Sequence, residues 1–187
     1  MKDSRGATRT PIGKHRLEFL FDGIYAIAMT ILVLDLKVPE LTDPHSTAEL
    51  GAALLRIAPA LGSYLLSFFI LGNFWYRHNQ HFHHFQFITP RMLNLHFIQL
   101  ATAGFFPFCA ALSGRYSQNG LSWAVYFGCI LTHSTAGLLN WQVAWKADAM
   151  TPETTVRDYL KTRATLRHRF TIVAIIFLSF LYKVIFH

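Results

Sequence analysis

Apolar residues recur along the chain in five long runs, near 19–36, 52–75, 92–112, 121–145 and 170–186, separated by polar or charged segments. A bilayer core of about 30 Å asks roughly 17 to 25 residues of a helix, and each run meets that length, the last one barely. The pattern predicts an all-α fold, a polytopic transmembrane helical bundle with five spans. The segments between them carry their own signals. Lys37 to Glu49, with Pro39, Pro44 and several acidic residues, reads as a loop. The second run carries Arg56 near its outer end, where a long side chain can snorkel, and closes on FWYRHNQHFHHF, a Trp-Tyr belt followed by a histidine-rich turn. Thr89-Pro90 is a helix start, and the charged segment 146–169, with a start at Thr151-Pro152-Glu153, predicts an interfacial helix ahead of the last span.

The first run is the one around which the chain is organised. On a period of about 3.6 residues, Leu20, Gly23, Ile27, Ile31 and Leu34 share one stripe, and Asp22, Ala26, Met29 and Val33 share another. A carboxylate inside a bilayer is costly unless paired or wetted. Asp22 is therefore expected to turn toward protein, with Arg16, Glu18 and polar groups of neighbouring helices as partners. The wholly apolar stripe is left to face something else, and pattern alone allows ordinary helix packing. The third run holds Asn94, His96, Gln99 and Pro107, more polar atoms than a lipid-facing helix carries, which places it against other helices.

Composition changes the picture in one respect: it removes the soluble classes. Hydrophobic residues make up 52% and charged ones 14%, with mean hydropathy +0.30, so the 187 residues fit one integral membrane domain. The net charge of +7 does not point to nucleic acid, because the basic residues sit in short segments between apolar runs. Thirteen Lys and Arg lie in the amino-terminal segment through Arg16, around the histidine cluster and in 146–169; the opposite side has Lys37, Arg115 and Lys183. That bias predicts a cytoplasmic amino terminus, with residues 1–15 as a basic tail and 16–187 as the membrane domain. Asp22 inside the first run, and the lack of a small-residue triplet after it, argue against a cleaved signal peptide. Cys109 and Cys129 lie inside apolar runs and behave there as small apolar residues.

His78, His81, His83 and His84 form the densest cluster of chemically capable side chains. Imidazole suits zinc, copper or nickel, but no carboxylate or thiol accompanies it, and Asn79, Gln80 and Phe85 supply neither. A structural turn rich in amphipathic aromatics is the simpler expectation, with no metal and no cofactor. His96 and His133 read as hydrogen-bonded packing residues, with a proton-relay role as the alternative. No nucleophile elbow, phosphate loop, dinucleotide fingerprint or HExxH occurs, so no enzyme activity is expected. A TVGYG-like carbonyl filter is also lacking.

Arg16, Asp22 and Ala26 keep the spacing of the RxxxFSDxxxA signature, and the chain resembles the transmembrane protein 175 family of potassium channels, prokaryotic single-repeat type. The similarity continues through AIAMTILVLDLKVP to Pro39. It is weaker at Trp75, His78 and Asn94 to Pro107, and faint after residue 120. Leu20-Phe21 stands where the family has Phe-Ser, and Asn79 replaces the second histidine of a pair that ends the family's second helix. The resemblance implies a homotetramer in the membrane of a prokaryotic cell, its pore for K⁺ lined by the first helix of each subunit. It puts the narrowest ring on Ile27, with Ile31 and Leu34 further out and Thr30 as the hydroxyl associated with selectivity. Arg16, Asp22, Ala26, Trp75, His78 and Asn94 are then structural signature residues. Family subunits have six membrane helices, against five runs here. A non-conducting membrane scaffold and a histidine-dependent metal transporter are the alternative functions.

Overall fold

The computed structural model describes residue 10 and residues 13–186. Its helices are α1 (Lys14–Ile31, continued by a 3-10 turn, Leu32–Asp35), α2 (Thr47–His83), α3 (Pro90–Arg115), α4 (Gly120–Lys146) and α5 (Val156–Phe186). Four of them, all but α4, contain a stretch long and apolar enough to cross a bilayer. The exception is instructive. α4 carries His133, Ser134, Thr135, Asn140 and several Trp and Tyr, which lower its hydropathy, and it is the helix wrapped between α3 and α5.

Helix starts follow local chemistry. Ser46 caps α2, its Oγ accepting from Glu49 N at 3.2 Å, while the Glu49 carboxylate accepts from Thr42 N and Asp43 N at 2.7 and 3.0 Å. Thr89 caps α3 with Pro90 at the first position, and Asn119 caps α4.

Two boundaries differ from the sequence expectation. The histidine-rich segment is not a turn: α2 continues through it to His83, because neither Gly nor Pro interrupts 73–83 and His78 and Phe82 are drawn into the core. The segment 146–169 does not form a separate interfacial helix. α5 starts at Val156 rather than at Thr151, on a reciprocal cap in which Thr155 N donates to Asp158 Oδ2 and Asp158 N donates to Thr155 Oγ1, and it then runs unbroken.

The α2–α3 and α4–α5 connections share one end of the bundle. Gln86 N donates to Ala149 O and Thr151 N to His84 O, each at 2.8 Å, tying the α2–α3 turn to the α4–α5 turn, and Thr10 N donates to Ile88 O at the same place. α1 packs on α2 and α3, α3 on α4, and α4 on α5. At the other end α2 and α3 cross closely. A Cβ on Gly114 would sit 3.0 Å from Ala60 Cα, and beside it Ser63 Oγ donates to Ala110 O at 2.7 Å. Small residues and a hydroxyl at such a crossing are how helices associate where lipid competes for apolar contact.

Candidate pore face and its anchor

α1 presents three faces rather than the two that periodicity picked out. Leu17, Phe21, Tyr25, Ala28 and Leu32 form the buried one, at spacings of four and three residues. Leu20, Gly23, Ile27, Ile31 and Leu34 are exposed on the chain's outer side, Ile27 to 61% and Leu34 to 75%. Thr30 lies beside them, also exposed, its hydroxyl within 2.9 Å of both the Ala26 and Ile27 carbonyls. Its proton is thereby engaged by backbone, and its oxygen lone pairs remain as acceptors.

The third face bears out one part of an expectation, a polar partner for Asp22 on a neighbouring helix, and corrects the rest. Asp22 is not buried against protein and does not pair with Arg16 or Glu18; it is exposed and accepts a 2.8 Å hydrogen bond from Trp75 Nε1 of α2. Geometry explains this, since six residues at about 100° each put Arg16 and Asp22 roughly 120° apart around the helix. Glu18 instead meets His15 Nδ1 at 3.0 Å. Arg16 and Ala26 are exposed, Met29 is half-buried near Gly72, and Asn94 is exposed on α3.

Trp75 and His78, one turn apart on α2, hold α1 from opposite sides of its seam. Trp75 takes Asp22 at the surface, and the His78 ring lies parallel to Phe21 with centroids 3.4 Å apart. His78 is buried, and its Nε2 has no hydrogen-bond partner. The remaining histidines of the cluster do not join His78 on Phe21. His81 and His84 pack on Trp141, His84 Nδ1 also meets Thr154 Oγ1 at 3.0 Å, and His83 is exposed. Among the described residues no three His, Cys, Asp or Glu converge on one point.

A polar seam that periodicity did not reveal runs through the core. Tyr25 OH lies 3.3 Å from His133 Nε2, and Thr102 Oγ1 lies 2.9 Å from His133 Nδ1, so α1, α3 and α4 meet on one imidazole, itself stacked on Phe74 at 4.0 Å. His96 Nδ1 reaches Met92 O at 3.0 Å and also meets the Asn140 side chain. His96, His133 and Asn140 stand out in the sequence as polar groups within apolar runs. Tyr25 gives no such signal, because its ring scores as apolar.

Against α3 the exposed stripe leaves an open apolar cavity of about 470 Å³, walled by Leu20, Ile24, Ile27 and Ile31 on one side and Phe97 and Leu100 on the other. Residues 16–107, which hold the stripe, the Asp22–Trp75 bond and the His78 stack, match the family model described as endosomal/lysosomal potassium channel TMEM175. Residues 16–107 belong to the TMEM175 family. A potassium channel of Streptomyces collinus is 28% identical over 130 residues, covering 70% of this chain and 62% of that one. The mouse endosomal/lysosomal proton channel TMEM175 is 35% identical over 114 residues, 58% of this chain and 23% of that one. This chain thus spans under two thirds of either relative. Among solved structures, the lysosomal potassium-selective channel TMEM175 homolog from Chamaesiphon minutus superposes with TM-score 0.67 at 25% identity, over 90% of this chain and 95% of that one. A transmembrane helical fold of the TMEM175 kind is therefore established, with five helices among the described residues.

Proposed function

We propose that this integral membrane protein is a potassium-selective cation channel, assembled as a homotetramer in a prokaryotic cell membrane with its amino terminus cytoplasmic. Residues 1–15 are the cytoplasmic tail, of which 1–9, 11 and 12 lie outside the described residues and Lys14 and His15 already open α1, and 16–187 are the channel unit. One observation carries the reading: α1 leaves Ile27, Ile31 and Leu34 exposed while its opposite face is buried. Four copies of that face around an axis give rings of aliphatic side chains, narrowest at Ile27, where a cation sheds part of its water and the constriction can close by dewetting. Thr30 supplies the nearest oxygen. The Asp22–Trp75 bond and the Phe21–His78 stack set the rotation of α1 about its axis, which decides the residues the pore sees.

A scaffold function would use the same stripe as a packing seam. Metal transport through His78 to His84 would need further ligands, since among the described residues no three His, Cys, Asp or Glu converge there. The bacterial relative is named a potassium channel and the mouse relative a proton channel, so the test reads several ions. The purified protein in liposomes is expected to pass K⁺ faster than Na⁺, with H⁺ followed in parallel. Ile27→Asn is expected to raise total flux and admit Na⁺, and Met29→Ala to leave the K⁺ to Na⁺ ratio unchanged. Unaltered selectivity in Ile27→Asn, together with a falling tetramer fraction, contradicts the pore and favours the seam.

A further inference from the structure

A second cavity, of about 460 Å³, opens between α2, α4 and α5 on the side of the bundle away from α1. That size lies in the range of about 300–1,000 Å³ typical of ligand pockets. Its walls are sorted by chemistry. Leu66, Phe69 and Ile70 of α2 and Phe127 and Ile130 of α4 line one part, while Arg77 of α2 and Arg169 of α5 line the other.

Ring contacts fix the heights of these groups. Ser67 bonds Tyr126 at 3.0 Å, Phe74 stacks on His133 and His81 packs on Trp141, so α2 and α4 run side by side in the same direction. α5 runs against α4, with Tyr159 on Trp145 and Phe180 on Phe127. At 1.5 Å per residue, Arg77 and Arg169 then stand within about one turn of the same height, and the apolar wall extends about 10 to 16 Å from them toward the middle of the bundle. Among the described residues no carboxylate pairs with either arginine. Arg77 Nε donates to Asn73 Oδ1 at 2.7 Å, which orients the guanidinium and leaves its terminal nitrogens as donors. His78, whose buried Nε2 has no partner, lines the same cavity.

We propose that this groove binds an anionic glycerophospholipid from the leaflet on the Arg77 side, its phosphate between Arg77 and Arg169 and one acyl chain along the apolar wall. Two guanidinium groups without counter-ions at one level call for an anion, and a phosphate accepts paired hydrogen bonds from each. The apolar wall below them calls for a hydrocarbon, which a free phosphate lacks. The leaflet agrees with the topology. The arginines lie toward the end that holds the α2–α3 and α4–α5 turns, the side read from its basic residues as cytoplasmic, where anionic lipids attract juxtamembrane charge.

The test takes the full chain from bilayers of equal phosphatidylglycerol and phosphatidylcholine and counts retained lipids by native mass spectrometry. Phosphatidylglycerol is expected to be retained at least tenfold over phosphatidylcholine. The double variant Arg77→Gln/Arg169→Gln is expected to lose that preference, while Arg115→Gln at the opposite end of the bundle keeps it. Leu66→Trp, which fills the apolar wall with both arginines intact, is expected to lower retention as much as the double variant, and added inorganic phosphate to displace nothing. Equal retention of the two lipids overturns the proposal, as does a preference that survives the double variant. Displacement by phosphate with Leu66→Trp silent reduces the site to a bare anion site and overturns the lipid. Absence of retained lipid with a changed oligomeric state in Leu66→Trp assigns the groove to a protein helix instead.

Discussion

The two apolar faces of α1 have opposite fates. Leu17, Phe21, Tyr25 and Leu32 are buried beneath α2, α3 and α4; Leu20, Ile27, Ile31 and Leu34 stay exposed at the surface of the chain. Hydropathy alone does not separate them. What separates them is shape and polarity: the inward face has rings that stack on His78 and a hydroxyl that reaches His133, whereas the outward face is branched aliphatic with one threonine at its edge. In a bilayer an apolar side chain gains little by leaving lipid for protein, so packing shape and a few hydrogen bonds select the inward face.

Substitutions can break this contrast, and the largest effect belongs to the inward side. Phe21→Ala removes a ring with no exposed surface that touches His78, His96 and Phe82, and is expected to cost about 3 to 5 kcal/mol, read as the unfolding midpoint of the protein in detergent. Ile27→Ala should leave the fold of the single chain nearly unchanged under the same conditions. Equal losses in the two would erase the distinction between the faces.

Next in size is the helix crossing that fixes α2 against α3. Gly114→Ala places a methyl 3.0 Å from the Ala60 backbone, where nothing flexible can yield, and is expected to destabilise by about 1 to 3 kcal/mol. Gly104→Ala on the same helix meets nothing within 4 Å and is the matched control. The unfolding midpoints of the two variants side by side check this.

The polar seam comes third. His133→Phe keeps a ring against Phe74 but strips Tyr25 and Thr102 of a buried partner, for about 1 to 3 kcal/mol. Adding Tyr25→Phe should return part of that loss, because the orphaned hydroxyl leaves with it. A double-mutant cycle without coupling would remove His133 as the link between α1 and α4.

The smallest effect lies at the surface. Trp75→Phe deletes only the bond to Asp22, an exposed contact expected to contribute about 1 kcal/mol. Its sharper readout is ion preference, which should change if α1 rotates, and which Arg16→Ala should leave alone.

Much of this was legible in the chain, unevenly. The five helices follow from apolar runs of bilayer length, and the exposure of Ile27, Ile31 and Leu34 follows from their shared stripe. The buried stripe was not legible, because Phe21 and Tyr25 count as apolar wherever they point and attention goes to the stripe holding the charge. Asp22 was expected inside for that reason. The expected partner on a neighbouring helix is there, but Trp75 of α2 takes Asp22 at the surface. The extension of α2 through its histidines and the unbroken α5 were hidden by polar composition, which hydropathy reads as a turn or an interface although no residue there breaks a helix.

The central claim is that the outward face of α1 borders water rather than lipid, and chemical access tests it most directly. Leu34→Cys and Phe69→Cys put thiols at two exposed sites, 75% and 71% accessible in the single chain, one on the stripe and one on α2, while the native Cys109 and Cys129 are buried. In reconstituted liposomes, a charged, membrane-impermeant thiol reagent is expected to label Leu34→Cys and reduce its K⁺ flux, leaving Phe69→Cys unlabelled in the lipid. Labelling of neither, or of both alike with flux intact, would contradict a water-filled path along this face.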